Sequence, residues 1–146
     1  MTIHKMQNLS RATIEYASTV IVPGMSLARL RKMCEEYMIS HGADSFWYWD
    51  VGAFIFASDK TAVSVSGREY KTDDHIIAPT DIITIDLSPQ NNCIWGDYAR
   101  TLILENGKIV KDIEEIHNDE WRNGLKMAEY LHETMRSFAD ERSEEH

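Results

Sequence analysis

The 146-residue chain predicts an α+β fold, an antiparallel sheet covered on one side by helices. Three observations predict it. Two amphipathic segments precede any strand, a run of short β-branched and aromatic segments follows, and a long Glu-rich amphipathic stretch comes last. The length suits a single core rather than two, so one domain over residues 1–139 is expected, with a charged, disordered tail over 140–146.

Over residues 9–22, Leu9, Ala12, Ile14, Tyr16, Ala17, Val20 and Ile21 recur at helical spacing, and Pro23-Gly24 stops the pattern. Ser26 then suits an N-cap for a second helix, whose Leu27, Leu30, Met33, Cys34, Tyr37 and Met38 share one face as far as His41-Gly42. Strands are predicted over 46–49, 53–57, 62–65, 82–87, 93–95 and 100–104, where β-branched or aromatic residues lie between Gly, Asn, Asp or Ser. Pro89-Gln-Asn-Asn and Glu105-Asn-Gly-Lys read as turns, the Asn106-Gly107 hairpin signal being the strongest local one. After Lys111, the residues Ile113, Ile116, Trp121, Leu125, Met127, Ala128, Leu131, Met135 and Phe138 lay a broad apolar face along one long helix.

The net charge is -9 and the pI about 5.0. No basic stripe is available to displace counterions from phosphates, which excludes a nucleic-acid partner, and no window of about 18 apolar residues could span a bilayer. Cys34 and Cys93 do not make a disulfide framework, and the first residues lack a signal peptide's apolar run, so a reduced, cytoplasmic setting is expected.

Asp86 and Asp97 stand eleven residues apart, one ending an apolar strand and the other starting the next. That arrangement lets a sheet present paired oxygens to metal ions, although strand-end aspartates are commonly turn residues or caps. His117 and His132 lie on the last predicted helix, roughly 22 Å apart, too far to share an ion, and read as surface histidines. Phe46-Trp47-Tyr48-Trp49 reads as core packing, and Cys93, with no histidine beside it, as structural.

Together, Pro23-Gly24-Met25, Gly42-Ala43, Asp81-Ile-Ile-Thr-Ile-Asp86-Leu87 and Gly96-Asp97-Tyr-Ala-Arg100-Thr101 resemble the first half of the pita-bread metallopeptidases. These are the methionine aminopeptidases, aminopeptidase P, prolidase and the creatinase relatives. The resemblance covers about residues 10–139 and implies half of a pita-bread domain with a curved sheet. It also implies that Asp86 and Asp97 are two of the five ligands of a dinuclear centre of Mn, Co, Zn or Fe, or that this chain alone holds none. Arg100-Thr101 is closer to the Xaa-Pro-cleaving and creatinase branches.

The chain departs from the family pattern in three places. Residues 66–71 lack the substrate-contacting histidine, and His75 lies too near the strand to replace it. Thr80 stands where a glycine is usual. One His and two Glu ligands belong to a second half that would follow residue 139. The resemblance therefore implies a metal-dependent Xaa-Pro aminopeptidase or dipeptidase that is incomplete alone. A missing C-terminal half or a homodimer would complete it, and a short peptide would be its substrate. The alternative is a non-catalytic peptide- or protein-binding module.

Overall fold

In the computed structural model, which describes residues 1–144, the first helix α1 (Ile3–Val20) starts at Thr2, whose hydroxyl accepts from the Lys5 N–H at 3.1 Å. This cap sets a start earlier than apolar periodicity alone predicts. Ser26 caps α2 (Leu27–Ser40) in the same way, through the Arg29 N–H at 3.1 Å. Met6, Leu9 and Ala17 of α1 and Leu27, Leu30, Cys34 and Met38 of α2 are buried together with Ile55, Ile83, Ile85 and Leu87 from the sheet.

The strands are β1 (Ser45–Phe46), β2 (Ala53–Ala57), β3 (Asp81–Leu87), β4 (Pro89–Asn91), β5 (Ile94–Trp95), β6 (Tyr98–Glu105) and β7 (Lys108–Ile109). They form an antiparallel sheet in the order β2-β3-β6-β7 and a smaller one in the order β1-β4-β5. Along β3 burial alternates: Ile83, Ile85 and Leu87 face the helices, while Ile82, Thr84 and Asp86 are half-buried on the opposite side. The free edge of β2 is closed by Tyr70, whose hydroxyl accepts from the Ile55 N–H at 3.0 Å and donates to its carbonyl at 3.3 Å.

Two predicted strands and one predicted turn are corrected. Residues 62–65 make none: Ser58 takes φ 56, a 3-10 turn covers Ser58–Ala62, and Val63 and Val65 are exposed. Their β-branched side chains lack a partner strand, and propensity alone does not make a ladder. Only Phe46 of the 46–49 stretch is strand, as the end of β1, because the chain turns through Trp49 (φ 54) and Asp50 (φ 57). This leaves Trp47, Tyr48 and Trp49 exposed rather than in the core. Pro89-Gln-Asn, expected as a turn, is strand β4, and the turn falls on Asn92 (φ 48) and Cys93 (φ 65), the left-handed pair of a two-residue hairpin.

The chain divides into two compact units, Met1–Ile109 and Val110–His146. Within the second, a 3-10 turn at Ile113–Glu115 precedes α3 (Asp119–Glu144), so the long helix begins later than its apolar pattern suggests. Asn118 caps it through the Trp121 N–H at 3.0 Å, Arg122 donates to the Ile116 carbonyl at 2.8 Å, and Lys126 pairs with Glu114 at 2.8 Å. Residues 140–144 of the expected tail are helical; 145 and 146 lie outside the described residues. No helix among the described residues is long and apolar enough to cross a membrane.

Candidate metal centre

Asp86 pairs with Phe54 on one neighbouring strand and with Ala99 on the other. Residues opposite each other in an antiparallel pair share a face, so Asp86, Ala99, Thr84 and Thr101 lie together on the side of the sheet away from α1 and α2. Thr84 and Thr101 bond through their hydroxyls at 3.1 Å across that face. Asp97 comes just before β6, two residues from Ala99, and the same parity turns it toward Asp86 as its diagonal neighbour, about 7–8 Å away between Cα atoms. The electrostatics agree with this placement. The Asp86 carboxyl is pushed up to about 6, first by burial and second by the negative charge of Asp97.

Among the described residues, no cationic side chain forms an ion pair with either carboxylate. Arg100 folds back, its guanidinium donating to the Ala99 carbonyl at 2.7 Å and lying 4.1 Å from the centre of the Tyr98 ring. His75, which the sequence places too close to β3 for a substrate role, is engaged instead by Asp81 at 2.6 Å. That carboxylate also accepts from the Ala78 and Ile82 N–H groups, so Asp81 closes the start of its own strand.

Two carboxylates on one sheet face, one of them held against its charge by burial, are the hard oxygen donors that a divalent cation prefers. This donor set fits a metal. It is also short of a full coordination sphere: among the described residues no group of three or more His, Cys, Asp or Glu side chains can hold one ion. His117 and His132 both belong to the second unit, but only His132 is on α3; His117 precedes the helix and so is not on it as the sequence suggested.

Sequence reasoning missed the groups that hold Asp97 in place. Gln7 on α1, Trp47 after β1 and Pro89 on β4 all bond to the backbone of Gly96-Asp97. Gly96 itself is required by close approach: a Cβ there would sit 2.9 Å from Ser10 Oγ and 3.0 Å from Met6 Cγ. The Gly-Asp dipeptide was visible in the sequence, but its contact with α1 was not.

Comparison with known proteins bears on the same elements. The chain is similar in fold to an X-Pro aminopeptidase from Thermotoga maritima MSB8, with 18% sequence identity and a TM-score of 0.61. The match covers 80% of this chain and 30% of that one, so the present chain spans under a third of that enzyme's length. No curated protein matches it at a significant level. The profile of metallopeptidase family M24 matches residues 2–141, nearly the whole sequence and both aspartates with it. The α+β chain with its helix-backed antiparallel sheet has the pita-bread architecture, and it belongs to metallopeptidase family M24.

Proposed function

We propose that this chain supplies the two-aspartate portion of an M24 metal centre, acting on the N-terminal peptide bond of short peptides, with Xaa-Pro sequences preferred. The observation that carries the reading is the pairing of Asp86 and Asp97 on one face, with no ion-pair partner among the described residues and with Asp86 raised to about 6. Asp86 and Asp97 would together hold a pair of divalent ions, with Mn, Co, Zn or Fe all compatible with carboxylate oxygens. Such a pair of ions, when bound, polarises a substrate carbonyl and activates water near neutral pH.

The protein's part is positioning. Strand β3 fixes Asp86 in a rigid ladder, and the Thr84–Thr101 bond fixes β3 against β6 beneath it. The Xaa-Pro preference is supported by Arg100-Thr101 and by the fold likeness to an X-Pro aminopeptidase. A second half of the fold would complete the coordination sphere, whereas a second copy of the chain would bring two further aspartates and no His or Glu ligand.

A second reading has an observation of its own. With no third metal-ligating side chain in reach among the described residues, the chain can instead serve as a non-catalytic peptide- or protein-binding module. Hydrolysis of Ala-Pro and Met-Ala peptides with added Mn(II) or Co(II), measured beside metal content, separates the two. Turnover with stoichiometric metal, lost in Asp97→Asn, supports the peptidase. Absence of both at high protein concentration leaves the binding module.

A further inference from the structure

The dipeptide Gly96-Asp97 is not part of a strand, yet each of its four backbone polar groups has a partner outside β6. The Gly96 N–H donates to the Pro89 carbonyl at 2.8 Å, and the Gly96 carbonyl accepts from the Trp47 indole N–H at 2.7 Å. The Asp97 N–H donates to Gln7 Oε1 at 3.0 Å, and the Asp97 carbonyl accepts from Gln7 Nε2 at 3.3 Å. One side-chain amide therefore grips both backbone groups of Asp97 from ninety residues away in sequence. A Cβ on Gly96 would also fall 3.2 Å from that same Gln7 oxygen, which shows how closely α1 and the dipeptide fit.

An amide that accepts from the N–H and donates to the carbonyl of one residue fixes the two peptide planes on either side of its Cα, in orientation as well as in distance. Asp97 needs this more than Asp86 does, because Asp86 sits inside a seven-residue strand with partners on both sides. Asp97 precedes its strand and is exposed, so ladder bonds alone would leave its carboxylate free to swing away. Outer groups that orient a metal ligand contribute to affinity without touching the ion.

We infer that Gln7 is a positioning residue for Asp97, holding its backbone so that the carboxylate faces Asp86, with Trp47 fixing the preceding carbonyl. The role in metal binding rests on the proposed function above; the hold on the backbone does not. Gln7→Met keeps length and helix propensity while removing both hydrogen-bonding groups, and Trp47→Phe removes the indole donor while keeping a ring.

Amide hydrogen exchange by NMR reads the hold directly. In Gln7→Met the Asp97 amide exchanges roughly ten-fold faster, while Thr101 and Ile103 in β6 are unchanged. Co(II) titration reads the consequence. Affinity falls about ten-fold or more in Gln7→Met, and the same substitution has no further effect in an Asp97→Asn background. Trp47→Phe gives the smaller change of the same kind. Unchanged exchange at Asp97, or acceleration spread evenly through β6, overturns the inference. Equal Co(II) affinity in the unaltered protein and in Asp97→Asn overturns the ligand reading and the clamp's role in metal binding, while exchange still decides whether Gln7 holds the backbone.

Discussion

Asp86 and Asp97 share a sheet face because of strand parity, and the β4–β5 hairpin fills most of the stretch between them. Their charges also predict a pH dependence. A carboxyl raised from 3.8 to about 6 binds its proton more tightly in the folded chain than in the unfolded one, so it costs stability as pH rises through that interval. The cost is complete above about 6 and absent below 3.8. Metal-free Asp86→Asn should therefore melt higher than the unaltered protein at pH 8 and match it at pH 3.5, as thermal denaturation at the two values would show; an equal difference at both would refute the assignment. The cysteines give a second prediction. Burial pushes the Cys34 thiol up to about 12, with the charge of Glu35 adding to it, whereas Cys93 is exposed in a hairpin turn. A disulfide reagent at pH 8 should consume one thiol per chain quickly, and the second only on unfolding. At this scale the sequence made the aspartates legible through strand-Asp and Gly-Asp signatures. It did not make Gln7 legible, because nothing in an isolated helical turn says which distant backbone it will face.

The elements that frame the site depend on a few contacts whose loss can be measured. Gly96→Ala would push a methyl into Ser10 and Met6, so either α1 or the start of β6 must move, costing about 1–3 kcal/mol. Tyr70→Phe leaves the Ile55 edge groups of β2 without their hydroxyl partner, at about 1–3 kcal/mol, and urea denaturation should register both changes with an unaltered slope. Where apolar alternation and side-chain caps coincided, as at β2, β3 and α2, the elements were legible in the sequence. Where a strand depends on a partner that the local sequence does not name, they were not. Pro89-Gln-Asn has turn-forming residues but becomes β4 because β1 and β5 flank it, and Val63 and Val65 have strand-forming side chains but no strand to pair with.

In the first unit, a helix-backed sheet carries Asp86, Thr84 and Thr101 on its opposite face. On α3, Met127, Leu131, Met135 and Phe138 are exposed at spacings of four, four and three, part of the apolar face that the sequence had marked. The family was legible in the sequence because its signature lies within residues 81–101, inside the span the family profile matches. The substrate was not, since the side chains that would choose it are not spelled out by the metal strands. The central claim, that Asp86 and Asp97 bind divalent metal together, is tested most directly by titrating Mn(II) into the protein and following free ion by electron paramagnetic resonance. The account predicts saturable binding that falls about ten-fold or more in Asp86→Asn and in Asp97→Asn, with the double variant no weaker than the weaker single one. Binding that is equal in all four proteins would contradict it.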